Sequence, residues 1–169
     1  MPPRGVLFRP RTDADRDFLQ ALYGSTRADE LALVSWTDAE RAAFIAMQFQ
    51  AQSAHYAAHY YDADFLVIER DGAPIGRLYL YRGETDIRIV DIVLVPAARG
   101  AGLGTQLLKE ILSEGERTGK SVSIHVEYFN PALRLYRRLG FAHVDNHGAY
   151  YLMRWSPDRV TGDQPKIAS

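Results

Sequence analysis

Apolar positions recur along the chain with two different periods, and the shorter period predicts strands. Runs in which apolar and polar residues alternate, bounded by glycine, proline or aspartate, are typical of β-strands. Seven strands are predicted, at residues 6–8, 65–69, 75–81, 86–95, 121–127, 141–147 and 149–155. The turn signal Asp71-Gly72 and the later Gly83 predict that the second, third and fourth strands form antiparallel hairpins.

Two helices are predicted between the first and second strands. Thr12 or Asp13 caps the first helix, whose apolar residues lie on one side. Thr37 and Glu40 have the spacing of a capping box, in which each side chain accepts a hydrogen bond from a free backbone N–H, so a second helix is predicted to begin there. It runs to about His59.

Two further helices are predicted after the longest strand. Leucine and isoleucine recur at helical spacing over residues 103–112, and Gly119 is predicted to end that helix. Asn130 followed by Pro131 predicts an N-cap and a first helical position, and Gly140 ends this shorter helix.

The predicted elements follow the order strand, two helices, three strands, helix, strand, helix, two strands. This order indicates an α/β fold with a mixed sheet and helices on both faces. The length of 169 residues and the hydrophobic fraction of 47% suit one domain, which we expect to span residues 1–155. Residues 156–169 are polar and are predicted to form a frayed tail.

Charge and composition narrow the classes of partner. The 20 Lys and Arg residues against 21 Asp and Glu residues leave a formal charge of −1, which does not favour nucleic acid or an anionic membrane. Because the chain has no cysteine, disulfides, thiolate nucleophiles and Cys-built metal sites are excluded. No signal-peptide pattern follows Met1 and no apolar stretch is long enough to cross a bilayer, so we predict a cytoplasmic protein.

Three alternating glycines, Gly100, Gly102 and Gly104, lie between the longest strand and the next helix. Such a loop leaves backbone N–H groups unpaired at the positive end of the helix dipole and removes side chains that would hold an anion away. A phosphate site is therefore predicted, although glycine turns between strand and helix also serve topology alone. Thr105-Gln106 lacks the lysine of a P-loop, and the glycine spacing and preceding hairpins do not fit a dinucleotide-binding unit.

Two motifs resemble the signatures of the GCN5-related N-acetyltransferase (GNAT) family. Residues 99–104, RGAGLG, resemble the family's Arg/Gln-x-x-Gly-x-Gly/Ala signature. Downstream, FNPALRLYRRLGF at residues 129–141 resembles its Asn…Leu-Tyr…Leu-Gly-Phe segment. The resemblance covers residues 65–155. It implies a mostly antiparallel twisted sheet of about seven strands with about four helices, and an acetyl-CoA-dependent transferase.

The resemblance also implies which residues hold acetyl-CoA. Loop amides would bind the pyrophosphate, from the residues Arg99, Gly100, Ala101, Gly102, Leu103, Gly104 and Thr105. Backbone groups of Val93, Leu94 and Val95 would pair with the pantetheine arm where this strand splays from the next, and an N–H near Val93 would face the thioester oxygen. Asn130 would cap its helix and lie near the cofactor arm.

Direct attack of an amine on the thioester needs one group that removes the amine proton and another that protonates the thiolate. The resemblance implies Tyr136 as the acid; otherwise Tyr136 is a core aromatic beside Leu133 and Leu139. Asp91 interrupts an apolar strand and is predicted to be the base or an amine-orienting group, or else half of a structural ion pair, with Arg88 as one candidate partner.

His125 and Glu127 provide further candidates for proton transfer. They share one face of the following strand, so either could relay a proton through water, or be an ordinary polar group at a strand end. A water chain with no single base is the remaining alternative. The histidines have no convergent acidic partners at ligand spacing, so no metal site is predicted.

The family's acceptor groove is usually lined by the first two helices and the last hairpin. Residues 54–64, AHYAAHYYDAD, would form an aromatic and acidic lip for a cationic amine, or else an ordinary helix end. The function predicted is acetyl transfer to a primary amine of a small molecule or peptide. The alternatives are a non-catalytic acyl-CoA-binding module and a transferase of a longer acyl group. Pairing of the final hairpin's edge across a two-fold axis would give a homodimer.

Overall fold

Seven strands form one open sheet in the computed structural model, which describes residues 3–157. The strands are β1 (Val6–Pro10), β2 (Asp64–Arg70), β3 (Ala73–Arg82), β4 (Asp86–Leu94), β5 (Ser121–Glu127), β6 (Ala142–His147) and β7 (Tyr150–Trp155). Their order across the sheet is β1-β2-β3-β4-β5-β7-β6, and only β4 and β5 pair in parallel. The predicted mixed sheet is confirmed.

Four α-helices connect the strands: α1 (Arg16–Ala32), α2 (Asp38–His59), α3 (Leu103–Thr118) and α4 (Leu133–Arg138). A 3-10 turn capped by Thr12 precedes α1, and Thr37 caps α2 by accepting a hydrogen bond from the backbone N–H of Glu40 at 3.1 Å. The reciprocal half of the predicted capping box is absent, because the Glu40 carboxylate accepts from the Thr37 hydroxyl instead. Gly119 ends α3 in the left-handed conformation, as predicted.

The helix predicted to begin at Pro131, with Asn130 as its N-cap, starts two residues later, at Leu133. The Asn130 side chain does bond to the backbone, since its Oδ1 accepts from the N–H of Ala132 at 2.9 Å. It thus closes a turn ahead of the helix, and Ala132 occupies the capping position. The side chain satisfies a backbone donor, as expected of a cap, but from outside the helix.

The two faces of the sheet differ in what they bury. The face covered by α3 and α4, here the α3 face, carries the larger apolar cluster, which includes Ile89, Leu107 and Val122. The opposite face, here the α1–α2 face, carries a small cluster formed by Leu19, Tyr23, Phe49 and Val67. All residues of β6 are exposed at one edge of the sheet, and the homodimer stays a prediction.

Two further predictions concern the C-terminal tail and membrane-spanning helices. The frayed tail predicted from residue 156 lies, from residue 158 onward, outside the described residues. Over residues 3–157, no helix combines the length and apolar character that spanning a bilayer requires.

Candidate active site

The glycine loop presents bare backbone between β4 and α3. Gly100 and Gly102 have φ values of 80° and 81°, a region that non-glycine residues rarely adopt. A Cβ atom added at either position would meet no atom within 4 Å, so the surface of the loop is open there. This segment can therefore be approached closely by a ligand along its main chain.

Over residues 3–157, no protein group accepts a hydrogen bond from the amide N–H groups of residues 100–105. In the described part of the chain, the N–H of Arg99 donates to the Pro96 carbonyl at 3.2 Å, and the next loop amide that donates is that of Gln106, to Gly102 at 3.0 Å. The intervening amides lie at the N-terminus of the 16-residue helix α3, where the helix dipole favours an anion. This arrangement fits a diphosphate.

Arg99 differs from the expectation, because neither its amide nor its side chain is free. Its Nε donates to the carbonyl of Leu94 at 2.9 Å, and its Nη2 donates to the hydroxyl of Ser25 at 3.2 Å. The side chain thus ties the loop to the end of β4 and to α1. The set of free amides begins at Gly100, one residue later than the sequence implied.

Strands β4 and β5 separate beside this loop. Their parallel pairing extends only from Asp86–Ser121 to Ile89–Ile124, although β4 continues to Leu94 and β5 to Glu127. Beyond Ile89, the β5 side of β4, including Val93 and Leu94, has no strand partner, while β3 still pairs on the other side. The structure therefore contains the splay that the sequence resemblance implied.

Tyr136 lies on α4 next to this gap, within the apolar cluster of the α3 face. It is 6% exposed and its ring centroid lies 5.7 Å from that of Phe141. Burial, reinforced by the negative charge of Asp91, raises the pKa of the Tyr136 hydroxyl to about 12. None of the described residues forms a hydrogen bond with this hydroxyl, which leaves it available to another molecule.

A β-bulge sets the direction of Asp91. Leu80 pairs with Ile89 and Tyr79 pairs with Asp91, so Val90 is an extra residue in β4. Ile87 and Ile89 point into the α3 face, and without the bulge the alternation of side chains would bury Asp91 there as well. The extra residue reverses the alternation and turns Asp91 to the α1–α2 face.

Asp91 forms an ion pair with Arg77 of β3 and not with Arg88. Arg77 is 2% exposed, and its Nη2 also donates to Oε1 of Gln52 at 2.8 Å, while its Nε has no partner in the described residues. Tyr56 of α2 lies close by, since burial and then the charge of Asp91 raise the pKa of its hydroxyl above the usual value. The carboxylate is thus both paired and enclosed by polar groups from α2.

Arg88 instead contacts the following strand. Its Nε donates to Oγ of Ser123 at 2.7 Å, and its Nη1 lies 3.2 Å from Nδ1 of His125. The reason is geometric, because Asp91 lies opposite Tyr79 and Arg77 is therefore its diagonal neighbour on β3, whereas Arg88 lies opposite Ser123 of β5. Arg88 and Asp91 share a face but lie roughly 7 Å apart along the strand, since their partners on β3 are two positions apart at about 3.3 Å per residue.

His125 and Glu127 share the α1–α2 face, as predicted, while Val126 between them is buried on the other face. Partial burial, then the charges of Arg88 and His147, lower the pKa of His125, whose ring centroid lies 5.3 Å from that of His147. Glu127 lies 3.9 Å from Nη2 of Arg27 on α1. Both residues line the open part of this face.

Residues 54–64 form, for the most part, an ordinary helix end. Tyr60 packs against Tyr81 with centroids 6.1 Å apart, and His55 and His59 stack on each other at 4.2 Å in an exposed position. Tyr56 is the exception, because it packs on Tyr79 at 5.8 Å beside Asp91.

Sequence reasoning missed Gln52 and Arg77 beside Asp91, and the link from Arg27 to Glu127. Tyr56, in contrast, belongs to the lip predicted at residues 54–64. The one available signal was Arg77 itself, a charged residue inside an apolar strand. Across residues 3–157, no group of three or more His, Cys, Asp or Glu residues is arranged to hold a metal ion.

Solved structures of other proteins share this fold. One is the PaiA N-acetyltransferase of Thermoplasma acidophilum in complex with coenzyme A, at 17% identity and a TM-score of 0.66, covering 89% of this chain and 98% of that one. Another is YncA, a putative acetyltransferase of Salmonella typhimurium with acetyl-CoA, at 20% identity and a TM-score of 0.56, covering 96% and 99%. An acetyltransferase of Thermus thermophilus matches at 19% identity and a TM-score of 0.63, covering 92% and 99%.

The family comparison agrees with the loop, the splay and the sheet order. The model of the acetyltransferase (GNAT) family matches residues 20–141, which is most of the chain and includes the glycine loop and α4. This protein therefore belongs to the GNAT acetyltransferase family.

Proposed function

We propose that the protein is an acetyl-CoA-dependent N-acetyltransferase that moves an acetyl group to a primary amine of a small molecule or peptide by direct attack. The observation that carries this proposal is the splay between β4 and β5, which is flanked by free loop amides, the unpartnered Tyr136 hydroxyl and the Asp91 carboxylate. Family membership supports the reaction class.

The residues that fit the coenzyme lie along one side of the splay. The free amides of residues 100–105 would hold the diphosphate, and the backbone of residues 93–95 would pair with the pantetheine arm. Asn130 lies in the turn that leads from β5 into α4 and would approach the coenzyme arm from there. Bound acetyl-CoA would supply an activated acetyl thioester.

Tyr136 is assigned as the proton donor to the departing sulfur. A phenol with a pKa of about 12 is fully protonated at neutral pH, so the donor is present throughout the physiological range. The same shift makes it a weak acid, so its contribution is greatest as a hydrogen bond to sulfur while negative charge develops there. The apolar surroundings strengthen that bond.

Asp91 is assigned to receive or orient the acceptor amine. An amine with a pKa near 10 is mostly protonated at neutral pH, and a carboxylate at the splay attracts this cation and accepts its proton, directly or through water. The ammonium first loses one proton to Asp91, directly or through water, and the free amine attacks the thioester carbon. As the carbon–sulfur bond breaks, the sulfur takes a proton from Tyr136, and the nitrogen loses its second proton to water, from which Tyr136 is reprotonated. His125 and Glu127 lie farther along the same face and would serve as relays.

Thiol release from acetyl-CoA with a panel of primary amines tests the proposal. We expect Tyr136→Phe to lower kcat roughly 10²- to 10⁴-fold, the contribution of a positioned general acid, with little loss of stability because the hydroxyl has no protein partner. Tyr128→Phe is the matched control, because its hydroxyl already donates to the Gly148 carbonyl, between β6 and β7, at 2.6 Å.

Two outcomes would contradict the proposal in different ways. Coenzyme binding by calorimetry without thiol release for any amine would indicate a non-catalytic acyl-CoA-binding module. Release from succinyl- or longer acyl-CoA, but not from acetyl-CoA, would indicate a transferase of a larger acyl group.

A further inference from the structure

Arg88 is a cation on the α1–α2 face whose partners are both neutral. Its Nε donates to the Ser123 hydroxyl and its Nη1 lies beside Nδ1 of His125. The nearest acid on the same strand, Asp86, is used otherwise: it accepts from the hydroxyls of Ser121 and Ser123 and lies 3.9 Å from Nε of Arg154. Among the described residues, no carboxylate forms an ion pair with Arg88.

The contacts of Arg88 fix its position without using up its donors. A guanidinium has five N–H donors, and the two contacts engage Nε and one Nη1 hydrogen. Because a guanidinium can only donate, Nδ1 of His125 accepts this bond, and partial burial lowers the pKa of the ring in the direction that favours an acceptor. The remaining donors are held in a planar fork that matches a carboxylate.

Arg88 lines a cavity that lies on the same face as Asp91. The cavity has a volume of about 230 Å³ and is lined by Tyr60, Tyr81 and Arg88, and by residues 83–86 of the turn between β3 and β4, which include Glu84 and Asp86. The bulge at Val90 places Asp91 on this face as well, two register positions and roughly 7 Å farther along β4. A small molecule lying along the strand could therefore reach both side chains.

We propose that the acceptor is a primary amine that also carries a carboxylate, which Arg88 binds while the amine faces Asp91. This inference rests on the proposed function and names the substrate class for the same site. The guanidinium supplies the fork for the carboxylate, and the tyrosines supply walls for the connecting chain. Arg88 is thus a specificity-determining residue that acts on binding rather than on the chemical step.

A chain-length series tests this inference. The acceptors are unbranched amino carboxylates, from glycine through γ-aminobutyrate to ε-aminocaproate, each paired with the alkylamine in which a methyl group replaces the carboxylate. Thiol release gives kcat and KM for each. Calorimetry gives the affinity of each amino carboxylate for protein saturated with coenzyme A, which needs no turnover.

We expect an intermediate chain length to be preferred and the carboxylate member of that pair to be the better acceptor. Arg88→Gln should lower kcat/KM for that amino carboxylate roughly 10- to 100-fold, mainly through KM, because a charge-assisted bond is lost. The matched alkylamine should change little. Arg154→Gln removes another arginine of the same face, one that lies beside Asp86, and should preserve the preference for the carboxylate.

Equal activity with both members of every pair would overturn the inference, as would an equal loss in Arg88→Gln and Arg154→Gln. Neither result would affect the proposed transferase reaction, because turnover itself would persist. If no amine is turned over, the proposed transferase reaction is wrong. The calorimetric affinities then test by themselves whether Arg88 binds a carboxylate. Binding of an amino carboxylate that Arg88→Gln abolishes supports the site, and no binding overturns it.

Discussion

The two faces of the sheet differ in how much apolar surface and how many charged groups they bury. The α3 face buries a continuous apolar cluster that extends from β1 to β7. The α1–α2 face has an apolar cluster of only four fully buried residues, and beside it lie the buried Arg77 and Ser123. Burial of apolar area stabilises the fold, whereas a buried charge costs free energy unless it is paired.

This difference indicates where the fold is optimised for something other than stability. Replacing a buried ion pair by apolar residues of similar size is often neutral or stabilising, so the Arg77–Asp91 pair is not explained by stability. The α3 face contributes a backbone site at the end of a well-packed helix. The α1–α2 face contributes charged side chains. The bulge at Val90 adds Asp91 to them, because it turns this side chain away from the apolar α3 face.

The largest expected effect comes from breaking the buried ion pair. Arg77→Met leaves the Asp91 carboxylate without its guanidinium in a polar but enclosed position, and we expect the free energy of unfolding to fall by about 3–5 kcal/mol. Chemical denaturation measures this change. Replacing both partners, Arg77→Met with Asp91→Leu, should recover part of the loss, because no charge is then stranded.

Arg82→Met is the matched control for that prediction. Arg82 pairs with Asp64 and Glu114, but its side chain is 40% exposed, so solvent screens the charges. We expect a loss of about 1 kcal/mol or less. If Arg77→Met cost no more than Arg82→Met, the buried pair would be no different from a surface pair and the contrast between the faces would fail.

An intermediate effect is expected from two glycines at opposite ends of α3. Gly102 and Gly119 have φ values of 81° and 67°, and a Cβ atom at either would meet nothing within 4 Å. Valine at either position should therefore cost about 1–2 kcal/mol of stability through backbone strain alone. Thermal or chemical unfolding should show similar losses for the two variants.

Coenzyme affinity should separate the same two variants. Valine at Gly102 places a branched side chain next to the free amides, and we expect coenzyme A to bind roughly 10- to 100-fold more weakly by calorimetry, the equivalent of one lost charge-assisted bond. Gly119→Val, at the far end of the helix, should bind normally. Equal affinity in both variants would show that the loop does not hold the coenzyme.

The glycine loop illustrates what the sequence could predict. A site built from backbone amides requires residues without side chains between a strand and a helix, and this local pattern is visible in the sequence at Gly100 and Gly102. The order of the elements, the end of α3 at Gly119 and the cap at Thr37 were likewise predicted, because each depends on residues close together in the chain.

The surroundings of Asp91 illustrate what the sequence could not predict. Its partner Arg77 lies on the neighbouring strand, and Gln52 comes from a helix that packs over the sheet. That Asp91 reaches the face on which Arg77 lies depends on a single extra residue at Val90, which alternation of apolar and polar residues does not reveal. Register shifts of this kind reverse every later side chain, so they determine a site built from side chains.

The smallest expected effect is a pH dependence at the edge of the α1–α2 face. Asp15 accepts from Nη1 and Nη2 of Arg9 at 2.8 and 2.7 Å, and these bonds lower the pKa of Asp15 from 3.8 to about 2. Because the folded value is the lower one, the stabilisation is complete above pH 4 and is lost as the pH falls towards 2. Urea denaturation should show a lower free energy of unfolding for Asp15→Asn than for the native protein at pH 5, and this difference should disappear near pH 2.

Asp62→Asn, at an exposed turn, is the control and should show no such difference. If the difference for Asp15→Asn persisted unchanged at pH 2, Asp15 would act through its shape and hydrogen bonds and not through its charge.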